Sequence, residues 1–143
     1  MKQLNIQTGL VEFEINKAVK VKFNPTDPNF IERVVNAFNE LEKLNTEYGS
    51  KLNVETPTEE LFKITHEADN RMRDSVNAIF GEDICTPLIG NVHIFAISEG
   101  LPIWANILLA LLEECDATAV IEQQKTNPRL EKYIKKYEKG TRR

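Results

Sequence analysis

Residues 101–112 read Leu-Pro-Ile-Trp-Ala-Asn-Ile-Leu-Leu-Ala-Leu-Leu, and Asn106 is the one polar side chain among them. A helix that is apolar on every side needs cover on every side. The run is too short to cross a bilayer, which takes roughly 20 apolar residues. Its cover must therefore come from the rest of this 143-residue chain or from another chain. The first case is an ordinary domain core; the second is an assembly surface. The run follows Ser98-Glu99-Gly100 and leads into Glu113, Glu114 and Asp116. Nothing after Pro102 breaks a helix, so one is expected from about Leu101-Pro102 to about Gln124.

The remaining pattern divides into strands first and helices after. Val11, Phe13 and Ile15 alternate with Glu12 and Glu14, and Val19, Val21 and Phe23 alternate with Lys20 and Lys22. Period two over such runs marks half-buried strands. Asn16-Lys17 can turn the chain between them, which sets the two glutamates opposite the two lysines. Leu4 and Ile6 before Thr8-Gly9 suggest a third short strand. A ribbon this small is stable only when packed on something else.

Asp27-Pro28 is a helix start, a capping carboxylate followed by proline in the first turn. Phe30, Ile31, Val34, Val35, Phe38, Leu41 and Leu44 then recur at helical spacing, which predicts a helix from Pro28 to about Tyr48, ending by Gly49. Asn53-Val54-Glu55 reads as a linker, and Thr56-Pro57-Thr58-Glu59 as a second start signal. The second helix carries Leu61, Ile64, Ala68, Met72, Val76, Ile79 and Phe80 on one stripe and stops at Gly81. Glu60, Lys63, Glu67, Asp69, Arg71, Arg73 and Asp74 are placed on its solvent face. Residues 82–90 suggest a short helical turn closed by Gly90. Residues 91–97 fit a strand by length and a helix by position, and are read here as a helix. Thr126-Asn127-Pro128 opens a last helix with Leu130, Tyr133, Ile134 and Tyr137.

The fold class expected is α+β, mainly α: an N-terminal β ribbon packed on about five helices. It forms a single domain over 1–143, with the ribbon at 1–23, a helical body at 24–124 and a basic helix and tail at 125–143. The N-terminus lacks the apolar run of a signal peptide and the chain has no transmembrane stretch, so the expectation is a cytoplasmic protein without a membrane partner.

Motifs that would carry chemistry are sparse. The six glycines, at 9, 49, 81, 90, 100 and 140, form no phosphate-binding cluster. No Cys-x-x-Cys or His-Glu-x-x-His spacing supports a zinc site, and no cofactor is implied. Cys85 and Cys115 read as buried reduced thiols. Cys85 with His93 is a conceivable nucleophile and base, but nothing fixes their geometry. His66 reads as a surface residue on a charged helix face, and His93 as a half-buried, hydrogen-bonded one. No catalytic or metal-binding residue is assigned.

Charge is unevenly placed. Residues 1–124 hold ten Lys/Arg against twenty Asp/Glu, a net charge of −10; residues 125–143 hold eight against two, a net charge of +6. The basic residues are Lys125, Arg129, Lys132, Lys135, Lys136, Lys139, Arg142 and Arg143. A basic end can serve nucleic acid. The acidic body would repel phosphate, so a solvated helix face is the preferred reading. Trp104, the only tryptophan, reads as core with its indole N–H on a carbonyl, or as an interface anchor.

Four stretches stand in a recognisable order: Phe23-Asn24-Pro25-Thr26-Asp27-Pro28-Asn29-Phe30, Phe80-Gly81-Glu82, Gly100-Leu101-Pro102-Ile103-Trp104-Ala105-Asn106-Ile107-Leu108-Leu109-Ala110, and Thr126-Asn127-Pro128-Arg129. In that order and spacing, over roughly residues 20–138, the chain resembles the tail assembly chaperones of long-tailed phages and prophages of Gram-positive bacteria. The resemblance implies a non-enzymatic protein of the host cytoplasm that binds the helical tape measure protein while the tail tube is built. It also implies absence from the mature virion. In many such phages a frameshift adds a second domain that contacts the tube protein. Self-association is expected from the apolar excess. Leu101, Ile103, Trp104, Ile107, Leu108 and Leu111 are the positions expected as core or partner surface. The alternatives are a minor structural tail or head–tail component, a helical regulatory module using the basic end, and a small hydrolase using Cys85 or His66.

Overall fold

The structure, a computed structural model, describes residues 1–53 and 55–141, with side chains through 138. Val54 of the expected linker, the Lys139 side chain, Arg142 and Arg143 lie outside the described residues.

An antiparallel ribbon of β1 (Val11–Ile15) and β2 (Val19–Phe23) is the first regular structure of the chain. Its register sets Glu12 opposite Lys22 and Glu14 opposite Lys20, as the alternation requires. Asn16 and Lys17 both take positive φ, 52° and 56°, the sense that matches the twist of a hairpin. The Ala18 N–H closes the turn on the Ile15 carbonyl at 3.0 Å. The expected third strand does not form, and residues 1–10 are exposed throughout. Two apolar positions, Leu4 and Ile6, bury too little to hold it. Thr8-Gly9 nonetheless turns: the Asn24 side-chain amide donates to the Thr8 carbonyl at 2.9 Å, and Gly9 sits at φ +73° where a side chain would collide with that amide.

Helix α1 spans Pro28–Lys51, with the Asp27 carboxylate accepting from the Asn29 N–H at 2.9 Å. It passes through Gly49, which keeps helical geometry, so the expected stop at Gly49 falls two residues short. Phe30, Val34, Ala37 and Leu41 form its buried stripe. Helix α2 spans Thr58–Phe80 and ends on Gly81 at φ 71°, whose N–H donates to the Asn77 carbonyl at 3.0 Å. At its start no side chain caps the helix, and the expected Thr56 cap is absent; Glu59 and Glu60 face the N-terminal dipole instead.

The rest of the chain is built around two side chains that the periodicity put in solvent. Asp69 and Arg73 are paired at 3.1 Å, with side chains only 17% and 15% exposed. The Arg73 guanidinium also donates to the carbonyls of Gly90 (2.8 Å) and Val92 (2.7 Å), and Asp69 accepts the Ile94 N–H at 2.9 Å. These bonds fasten residues 90–94 across α2, after the short helix α3 (Cys85–Ile89). They also explain why 91–97 is not the expected helix: its backbone groups are drawn to side chains of α2 and to the start of the next helix. The chain then makes a two-residue ribbon of β3 (Ile97–Ser98) and β4 (Leu101–Pro102), turning at Glu99 and Gly100 with φ 54° and 77°.

Helix α4 runs Ile103–Gln124, so Leu101 and Pro102 precede it as strand rather than opening it. Its first donors are satisfied from the pinned segment: the Ile103 N–H bonds the Ala96 carbonyl at 2.9 Å and the Trp104 N–H bonds the Ile94 carbonyl at 3.2 Å. Asn106, the polar exception in the apolar run, donates to the Ser98 carbonyl at 2.9 Å and ties the β3–β4 ribbon to α4. Helix α1 packs against both α2 and α4. A column of rings, Phe13–Phe23 at 4.5 Å and Phe23–Phe30 at 4.2 Å, joins the first ribbon to that body, and Phe80 closes against Phe30 at 5.9 Å. Residues 125–128 lead to α5 (Arg129–Thr141). The architecture is α+β, mainly α, with the ribbon set against helices. No helix of the described residues is long and apolar enough to cross a membrane.

Candidate partner-binding groove

The cover that the apolar run demands is supplied on one side only. Trp104, Ala105, Leu108, Leu111 and Cys115 are buried against the body. Leu108 is fully buried, and Trp104 meets Phe38 edge-on at 5.7 Å. The other side stays open. Ile103, Asn106, Ile107, Ala110, Leu111 and Glu114, spaced three and four apart along α4, form the floor of a groove of about 600 Å³. Phe13, Glu14, Ile15 and Asn16 of the β ribbon make one wall, and Leu88 and Ile89 of α3 contribute to the lining. Its charged lining residues are Glu14 and Glu114, both acidic. An apolar groove with two glutamates in its lining suits an amphipathic helix with basic flanks.

The six expected positions therefore divide. Ile103 and Ile107 are half-buried on the groove floor, and Leu111 is buried with one edge lining it. Trp104 and Leu108 are core, and Leu101 is 38% exposed on β4 outside the groove lining. The expected carbonyl partner of the tryptophan is missing. Among the described residues, Trp104 Nε1 is the buried side-chain polar atom with no hydrogen bond. Phe13, Glu14 and Ile15 belong to the groove although the sequence marked them only as strand. The signal was the apolar alternation of Phe13 and Ile15, which says that one ribbon face is covered but not by what.

The residues considered for catalysis lie apart from the groove lining. The Cys85 thiol is buried, donates to the Arg73 carbonyl at 3.8 Å, and is pushed up to about 11 by burial. The His93 ring is engaged elsewhere: Nε2 lies 2.8 Å from the Thr65 carbonyl, and Nδ1 accepts the Phe95 N–H at 3.1 Å. That pattern puts the proton of the neutral ring on Nε2, and stacking of Tyr48 on Phe95 at 4.6 Å completes the cluster. His66 is exposed on α2. Cys115 is also buried and free, its thiol raised by burial and then by the Glu114 charge. Among the described residues no group of three His, Cys, Asp or Glu is placed to hold a metal ion.

Helix α5 is the opposite case. Every described residue from Ile121 to Glu138 is exposed, so Leu130, Tyr133, Ile134 and Tyr137 present an apolar stripe to solvent beside Arg129, Lys132, Lys135 and Lys136. Compared with known proteins, the chain matches no family model, no curated protein and no solved structure.

Proposed function

We propose that this protein is a non-enzymatic tail assembly chaperone of a long-tailed phage or prophage, working in the host cytoplasm. It binds the helical tape measure protein and keeps it soluble until the tail tube, whose subunit is a second candidate partner, encloses it. The observation that carries this reading is the half-covered α4, whose open side offers an apolar floor to a helix. The resemblance in the order of the Phe23–Phe30, Phe80–Glu82, Gly100–Ala110 and Thr126–Arg129 stretches supports it independently. A bare amphipathic rod aggregates through its apolar stripe, and a coat of small proteins with complementary grooves prevents that. Completing the burial of Ile103, Ile107 and Phe13 contributes on the order of 1 kcal/mol each, since all three are already partly covered.

The test is co-expression with the long helical product of the neighbouring gene, followed by affinity capture. Ile107→Asp is expected to cut capture at least tenfold while leaving the far-ultraviolet circular dichroism unchanged. Equal capture by the variant and the parent protein removes the groove from the reading. Mass spectrometry of purified particles separates the chaperone from a structural tail component: peptides of this chain at stoichiometric abundance refute the chaperone.

A further inference from the structure

We infer that Glu114 sets which helices the groove accepts: it takes a Lys or Arg that stands about two turns from the occupant's main apolar anchor. The inference rests on the groove being a helix site, and it holds whether or not the tape measure protein is the helix that fills it.

Glu114 is a carboxylate in an apolar setting without a counter-ion. It is half-buried and is the last floor residue along α4, in line with Ile103, Ile107 and Ala110 at helical spacing. The Thr118 hydroxyl donates to it at 3.2 Å, which is long for a bond between two oxygens. A carboxylate has room for about four such bonds. None of the ion pairs among the described residues includes Glu114. The same holds for Glu14 on the ribbon wall. Its cross-strand neighbour is Lys20, but Lys20 reaches Glu12 instead, at 3.9 Å.

Binding makes this arrangement selective. A helix that covers Ile107 and Ala110 also takes water away from Glu114, one turn further on. Removing solvent from a charge is costly unless an opposite charge takes its place. An occupant with a neutral residue there strands the carboxylate, and one with an acidic residue adds repulsion. Only a cation offsets the loss. Glu14 is exposed on the ribbon, keeps its water and discriminates less.

Spacing gives the motif. Ile107 and Glu114 are seven residues apart, about 10.5 Å along α4. A helix lying alongside has the same rise per residue, so its cation stands seven positions from the anchor over Ile107. The cation follows the anchor in a parallel occupant and precedes it in an antiparallel one. Ala110, between the two contacts, is the smallest side chain of the floor and leaves room for a large anchor.

The experiment titrates the full chain with three fluorescent peptides of about 20 residues, long enough to form a helix. All share one apolar stripe with a central Leu. Seven positions to either side of that Leu they carry a pair of Lys, Gln or Glu residues, and their other polar positions are neutral. Anisotropy is expected to rank the affinities Lys, Gln, Glu, with about tenfold or more between first and last. Glu114→Gln, close to isosteric, is expected to cut that ratio to roughly threefold or less, and Glu114→Lys to reverse the order. Glu113→Gln, on the same helix but outside the groove lining, controls for net charge and leaves the ratio unchanged. Ala110→Trp fills the floor and abolishes binding of all three. Circular dichroism checks that each variant is folded. The inference is overturned if no peptide binds, if the three bind alike, or if Glu113→Gln lowers the ratio as much as Glu114→Gln. Capture of the tape measure protein is scored separately. Peptides ranked as expected without that capture remove the tape measure partner and leave this inference; capture without the ranking does the reverse.

Discussion

The two sides of α4 differ in what covers them, although their residues are almost the same. On one side Trp104, Leu108, Leu111 and Cys115 meet the body and are buried. On the other, Ile103, Ile107 and Ala110 line an open groove between the helix and the β ribbon. An apolar run states how much surface must leave water; it does not state which neighbour removes it. In this chain the body covers one side of α4 and leaves the other lining a groove.

The largest expected effect separates the two sides directly. Leu108→Ala empties a fully buried site, and such truncations cost about 2–5 kcal/mol, part lost transfer energy and part cavity. Ile107→Ala on the half-buried floor has solvent to fill the space it leaves, so about 1 kcal/mol is expected. Urea unfolding of the two variants measures the difference. Equal losses mean that the open side is covered in solution, and the concentration dependence of the Ile107→Ala loss then shows whether another copy covers it.

That division also sets what the sequence alone can tell. Local rules carry α1 and α2 well: the Asp27 cap, the Phe30–Leu41 stripe and the Gly81 stop all follow from spacing and backbone preference. The ribbon register follows from alternation. Residues 91–97 fail because their structure is imposed by Arg73 and Asp69, 19 and 25 residues away in sequence from Val92 and Ile94, whose solvent-face position on α2 hides their second role. The groove is legible only in part for the same reason. Ile103, Ile107 and Leu111 follow from the apolar run, whereas Phe13 and Ile15 join them by tertiary packing through the Phe13–Phe23–Phe30 column.

A smaller effect probes the closed side. Trp104→Phe removes ring volume, which costs stability, and also removes a buried N–H that makes no hydrogen bond. An unsatisfied buried donor costs about 1–3 kcal/mol, so its removal offsets much of the lost packing. A net loss below about 1.5 kcal/mol is expected, against about 3–5 kcal/mol for Trp104→Ala. A Trp104→Phe loss as large as that of the alanine variant means that the indole N–H is satisfied in solution.

The smallest effect lies at the tip of the groove's other wall. Lys17 holds φ at 56° in the β1–β2 turn, a left-handed conformation that costs a side-chain-bearing residue roughly 1–2 kcal/mol. Glycine takes it without that strain but loses more conformational freedom on folding. The balance favours Lys17→Gly, with a gain of about 0.5–1 kcal/mol. Asn16 on the same turn is also at positive φ, but asparagine tolerates that region better and gains less from the exchange. Thermal unfolding checks the sign, and the groove supplies a second reading. Because Glu14, Ile15 and Asn16 line it, a steadier turn holds the wall in place and leaves partner capture unchanged or improved. A Lys17→Gly protein that is more stable but captures less would mean that the wall must move for a helix to enter, and that the open side of α4 is a gated site rather than a preformed one.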